Sequence, residues 1–178
     1  LLCDHASNRV PPELADLDDY RFDKLRYLPQ LVDFGGGFRG QRLLEVGCGI
    51  GTDLARFAAG GAEVTGIDLA QTAIDLAKTN FGHLGLTGDL RVGDGEALPF
   101  PDASFDVVYG HGVLQYAAAP ERIIAEAHRV LKPGGRGIFM VYNRVSWLNA
   151  LSKVMKVALE HEDAPVLKKY SIGEFRGL

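Results

Sequence analysis

The stretch "LLEVGCGIGTDLARF", residues 43–57, decides how the rest of the chain is read. A short apolar run carries one acid, Glu45, and stops at three glycines in alternate positions, Gly47, Gly49 and Gly51. A helical pattern follows, with Leu54, Phe57 and Ala58 on one face. A strand that ends in such a turn and feeds a helix exposes bare backbone to a ligand, and the helix start adds unpaired N–H groups. The turn suits a carboxylate, a phosphate or a nucleotide. The same turn also serves doubly wound sheets as a purely structural connection, so further residues must decide.

Outward from this stretch, strands and helices alternate. "QRLLEV" (41–46) reads as a first strand and 50–59 as a helix. "AEVTGID" (62–68) reads as a second strand, 70–81 as a helix with Ile74, Ala77 and Phe81 in phase, "DLRVGD" (89–94) as a third strand and "SFDVVYGH" (104–111) as a fourth. Pro120 suits the first turn of the next helix, whose stripe is Ile123, Ile124, Ala127, Val130 and Leu131. "KPGG" (132–135) is expected to end that helix, and "GRGIFMVYN" (135–143) to be a fifth strand. This alternation predicts an α/β fold, doubly wound around a mainly parallel sheet with helices on both faces. Three stretches of one domain result: an N-terminal helical segment (1–40) broken near Pro29, a core (41–143) and a helical C-terminal segment (144–178) with an amphipathic helix over 145–160. Residues 1–12 are expected to be loose.

Composition narrows the function. With 178 residues, 47% apolar and 24% charged, the chain has enough material for a real core. A net charge of −4 argues against a broad electrostatic hold on nucleic acid or on anionic lipid. No apolar run reaches the ~18 residues of a membrane span, so no stable membrane insertion is expected. Cys3 and Cys48, far apart, form neither a disulfide framework nor a zinc spacing, which favours a reducing, cytoplasmic setting and no metal.

Asp68 lies at the end of the second strand, 21 residues after Gly47. In doubly wound sheets an acid there accepts hydrogen bonds from ribose hydroxyls. With the glycine turn it favours a nucleoside ligand. A nicotinamide-dependent oxidoreductase, one alternative, would carry G-x-G-x-x-G, whereas here Thr52 follows Gly51 and Glu45 precedes the turn. An acid at that point is unhelpful beside a pyrophosphate and sensible beside an ammonium or a sulfonium.

Four motifs in order then resemble one family. "LLEVGCGIG", "VTGIDLA", "VGDGEALPFPDASFDVVYGHGVLQY" and "HRVLKPGGRGIFM" together are similar to the class I S-adenosylmethionine-dependent methyltransferases of the small-molecule kind, a group that includes ubiquinone and menaquinone biosynthetic enzymes. The resemblance covers roughly residues 41–143 and implies a Rossmann-like sheet of order 3-2-1-4-5, S-adenosylmethionine as cofactor, S-adenosylhomocysteine as product and a small-molecule methyl acceptor. It implies that Gly47, Cys48 and Gly49 lie against the methionyl part, with Glu45 near its amino group directly or through a water. It places the ribose diol on Asp68, the adenine on Leu69, the adenine amino group on Asp94 and a ring nitrogen on the Gly95 N–H, with Glu96 in the same segment. It brings His111 to the transferable methyl group, where an imidazole is the best candidate base for a hydroxyl acceptor. Tyr109 and Tyr116 are further candidates, although a tyrosine on a core strand more commonly packs. A catalytically silent, cofactor- or partner-binding module is the other alternative.

Two expectations concern the ends. The family's closing antiparallel strands do not follow residue 143, which implies truncation or an open sheet edge, and leaves a homodimer open. The acceptor is expected between the aromatic residues of 14–34 (Tyr20, Phe22, Tyr27) and the helix after the fifth strand (Trp147, Leu148, Leu151). His128 is expected on the surface and "HED" (161–163) at a helix exit.

Overall fold

The computed structural model describes residues 21–144 and 167–177. Residues 1–20, the helix expected over 145–160, "HED" and the acceptor candidates Tyr20, Trp147, Leu148 and Leu151 lie outside the described residues. Five strands form one sheet: β1 (Arg42–Val46), β2 (Glu63–Asp68), β3 (Asp89–Val92), β4 (Phe105–His111) and β5 (Leu131–Met140). Their order is β3-β2-β1-β4-β5, and every pairing is parallel. Three helices connect them: α1 (Thr52–Ala59), α2 (Gln71–Leu84) and α3 (Pro120–Val130).

Both faces of the central strands are buried, so β1 reads as a continuous apolar run rather than an alternating one. Leu43 enters the core beneath α1 and α2 with Leu54, Phe57, Ile74, Ala77 and Phe81. Leu44 and Val46 enter the opposite core with Ile123, Ala127 and Val130 of α3. The strand alternation thus sorts one run into two layers. Sheet order reverses between β1 and β4, and in open sheets the crevice beyond the strand ends at that point is where ligands bind.

The N-terminal helical segment is broken just before Pro29, as expected: helix at 21–24 gives way to a turn over 25–27, and Pro29 sits in the first turn of the short helix Leu28–Leu31, where its missing N–H costs nothing. One difference from expectation has a local cause. "KPGG" does not separate α3 from β5. The strand begins at Leu131, directly after the helix, and the pairing slips from Phe105↔Leu131 to Val107↔Arg136. The proline and glycines are absorbed in that irregularity, where a Cβ on Gly135 would stand 3.0 Å from the Asp106 carbonyl. Lys132 ties the bulge down through a 2.8 Å bond to Asp106.

At the amino ends of the strands, Arg129 uses its guanidinium fully. It donates to both Glu126 carboxylate oxygens, to Asp102 and to the carbonyls of Leu98 and Phe100, all at 2.8–3.0 Å. Glu126 also accepts from the Leu98 N–H at 2.7 Å. His128, one residue earlier, is exposed as expected. At the β3 border of the sheet, Asp89 and Arg91 form an exposed ion pair. Beyond β5, Asn143 bridges Tyr170 in parallel, and Ser171 caps the one-turn helix Ile172–Phe175 through a reciprocal capping box with Glu174.

Candidate functional site

The carboxyl ends of the strands carry the site. Gly47, Gly49 and Gly51 all adopt positive φ (69°, 53° and 78°), which a side chain resists. Each has a different spatial reason. A Cβ on Gly47 would stand 2.9 Å from Val113, and one on Gly51 would press on Ala77 and Phe81 at 3.3 Å, whereas nothing lies within 4 Å of a Cβ on Gly49. The first and last glycines let the turn pack; the middle one faces open space.

Asp68 braces this turn. Its Oδ2 accepts from the Gly49 N–H and its Oδ1 from the Ala70 N–H, both at 2.9 Å. A carboxylate has about four lone-pair sites, so both oxygens keep acceptor capacity. The Asp68 carbonyl accepts from the Gly93 N–H at 3.0 Å, which sets Asp94 just past the neighbouring strand tip. Asp94 is exposed and its Oδ1 holds the Glu96 N–H at 2.8 Å. Gly95 is buried there, since a Cβ would meet Val46 at 2.7 Å. The Glu96 carboxylate turns the other way and accepts from the Ala119 N–H at 2.8 Å, buttressing the start of α3. Leu69 is 73% exposed, an apolar side chain left at the rim.

Cys48 is buried inside the turn, and burial beside Glu45 and Asp68 pushes its thiol pKa well up. It is therefore a poor nucleophile and a filler of the turn.

The structure adds a polar cluster that sequence reasoning missed. Asp53, in the first turn of α1, is buried and receives Arg21 bidentately at 2.6 and 2.5 Å. The Tyr109 hydroxyl donates to the same carboxylate at 2.8 Å. Tyr109 also packs on Phe57 at 5.1 Å and Phe34 at 6.5 Å, so its expected packing role is correct and incomplete. Its hydroxyl pKa is driven up, by burial first and then by Asp53 and Glu45, which keeps it a donor. Asp53 looked like an ordinary helix-start acid, and Arg21 lies 32 residues away in sequence; only the fold joins them.

Glu45 sits next to Tyr109 across the β1–β4 pairing. It is buried, accepts from the Leu54 N–H, and its Oε2 has no partner. Burial, then the nearby Asp53, raises its carboxyl well above the ordinary range, with Arg21 opposing. His111 lies two residues beyond Tyr109 on β4, its ring 6.5 Å away at 24°. Its Nε2 is buried without a partner, and burial, followed by Arg21, lowers its pKa. Gln115, in the 3-10 turn Leu114–Tyr116, is buried with an unpartnered Oε1. Buried polar atoms without partners are uncommon and mark places where a ligand completes the bonding. Tyr116 is partly exposed. Phe22 is edge-on to Phe34 at 5.6 Å and beneath Arg56 at 3.5 Å. No His, Cys, Asp or Glu group among the described residues is arranged to hold a metal ion, and none of their helices is long and apolar enough to cross a membrane.

A glycine turn, two strand-tip aspartates and an orphaned buried acid thus gather at the switch point of a doubly wound sheet, where such sheets bind ligands. Residues 44–139 match the methyltransferase domain family, and the chain belongs to it. The cofactor of that family is S-adenosylmethionine. The chain is 39% identical over 118 residues to a ubiquinone biosynthesis O-methyltransferase of Maricaulis maris, covering 66% of this chain and 46% of that one. It is 36% identical to the [4+2]-cyclase SpnF, with a TM-score of 0.58 over 62% of this chain and 43% of that one. The YcgJ protein of Bacillus subtilis shares the fold, with a TM-score of 0.70 at 21% identity over 86% of this chain and 65% of that one. The chain spans a fifth to a half of the length of the curated relatives it matches.

Proposed function

We propose that this chain is the cofactor-binding core of a methyltransferase that moves the methyl group of S-adenosylmethionine to a small-molecule acceptor by in-line displacement. The observation that carries the reading is the pairing of an orphaned, buried Glu45 Oε2 with an open Gly49 across the same glycine turn. A cationic amino end fits the first, and a ligand lying on bare backbone fits the second. The exposed Leu69 offers an apolar face to adenine, and Asp94 with the Gly95 N–H offers the adenine edge an acceptor and a donor. Asp68 holds the ribose hydroxyls with its remaining lone pairs while keeping Gly49 in place.

When bound, the cofactor supplies a methyl group already activated by its sulfonium. The protein's task is then proximity, orientation and exclusion of water. Val113 packs against Gly47. His111, held neutral at pH 7 by its lowered pKa, has Nε2 available to take a proton from a hydroxyl acceptor. The Arg21–Asp53–Tyr109 cluster fixes the floor beneath it. A small molecule is favoured over a polynucleotide by the net charge and by the likeness to a ubiquinone biosynthesis O-methyltransferase.

The test is a thermal-shift comparison of S-adenosylmethionine, S-adenosylhomocysteine and NAD added separately, followed by labelled methyl transfer to a panel of phenols, amines and lipid-like hydroxyls. Stabilisation by the two adenosyl compounds, with transfer to a panel member, is the expected result. Stabilisation by NAD alone overturns it. Binding without transfer across the panel favours a cofactor-holding domain with other chemistry, which the likeness to a [4+2]-cyclase makes a concrete outcome.

A further inference from the structure

We propose that Glu45 selects the positively charged amino end of its ligand by proton exchange: the free protein holds the carboxyl protonated, and the incoming ammonium replaces that proton. The inference rests on the reading that Glu45 meets the cofactor's amino group, and goes beyond it.

The argument is one of charge and access. Glu45 is 3% exposed, and two other carboxylates share its surroundings with one cation. Asp53 faces it from α1, Asp68 from the tip of β2, Cys48 from the turn and Tyr109 from β4, with His111 two residues further along that strand. The cation, Arg21, donates to Asp53 through Nε and Nη2 and only partly offsets the charge around Glu45. Glu45 is left with one N–H, from Leu54, and an Oε2 that bonds nothing. A carboxylate buried without a counter-ion is among the most costly arrangements a protein can hold, and the usual resolution is to keep the proton. An ammonium at Oε2 reverses the balance, because it brings both a positive charge and an N–H donor. On binding, the O–H bond of the Glu45 carboxyl breaks, its proton goes to the buffer, and Oε2 accepts from the ligand's N–H. A neutral ligand in the same place gains nothing from this exchange, so Glu45 discriminates on charge.

Thermodynamic linkage makes this measurable. Where the free carboxyl is protonated and the bound one is not, affinity rises by about tenfold per pH unit. Titration calorimetry of S-adenosylhomocysteine on the acid side of neutrality, in buffers of different ionisation enthalpy, is expected to show net proton release on binding. 5′-Methylthioadenosine, which lacks the amino-acid end, is expected to bind with no release. Glu45→Gln is expected to bind S-adenosylhomocysteine more weakly, without release and without the pH slope. Binding to the wild-type protein with no proton released overturns the proposal while leaving the cofactor reading intact. Release that persists in Glu45→Gln, or that accompanies 5′-methylthioadenosine equally, assigns the proton elsewhere and also overturns it. Failure of S-adenosylhomocysteine to bind the wild-type protein overturns both readings.

Discussion

The two ends of the sheet treat polar side chains in opposite ways, half-exposed and fully paired at one, buried and partly unpaired at the other. At the amino end, Arg129 distributes its donors over Glu126, Asp102 and two carbonyls, and Glu126 returns a bond to the Leu98 N–H. At the carboxyl end, Arg21, Asp53 and Tyr109 satisfy one another, yet Glu45 Oε2, His111 Nε2 and Gln115 Oε1 beside them bond nothing. Similar residue types are present in both places. A network closed on itself serves the fold; a network with open valences is completed by something the chain does not supply.

Substitutions can break or sharpen this contrast. The largest stability effect is expected from Asp53→Ala, which strands Arg21 and the Tyr109 hydroxyl together. Breaking a buried pair costs about 3–5 kcal/mol, and the partial exposure of Arg21 puts this case at the low end, readable as a shift of the urea midpoint. Gly49→Val is expected to act on the ligand as well as on the turn: it fills the open space above the turn while forcing a β-branched residue into the positive φ there. S-adenosylhomocysteine affinity should fall ~100-fold or more, equivalent to about 3 kcal/mol, by calorimetry. Arg129→Ala should destabilise by about 2 kcal/mol, since it leaves the Leu98 and Phe100 carbonyls and Glu126 short of donors, while ligand affinity stays within about twofold.

The smallest effect carries the opposite sign. Glu45 has a folded pKa above its unfolded value of ~4.3, so its contribution to stability is fully present below that value and is lost as pH rises through the folded one. At pH 7.5, Glu45→Gln should therefore raise the ligand-free melting temperature by about 2–4 °C for each kcal/mol recovered, and flatten the pH dependence of stability above the unfolded carboxyl's range. One variant that gains stability and loses binding, and another that loses stability and keeps binding, would separate the two ends of the sheet functionally.

Much of this was legible before any coordinates. The glycine triplet, Asp68 and the strand–helix alternation are local signals: each depends on a few neighbouring residues, and the parallel sheet with its 3-2-1-4-5 order agrees with them. The start of β5 was misplaced because Pro133 and the glycines around it read as a boundary, whereas the β4 pairing absorbed them in a slipped register. Arg21 and Tyr109 were hidden for a different reason. Their partner, Asp53, is chosen by the packing of α1 on β4 and of the N-terminal segment on both, and no spacing in the sequence encodes that meeting. Glu96 was grouped with the adenine segment, and only the fold shows its carboxylate turned to the start of α3.

The ion pair on β3 bears on how copies of this chain meet. Among the described residues β3 is a four-residue border strand, and such borders recruit other strands into mixed ribbons and aggregates unless something obstructs them. Asp89 and Arg91 put two desolvation penalties in the path of any incoming strand. Self-association by lengthening the sheet at that border is thereby discouraged, and molecules that do pair would meet through another surface.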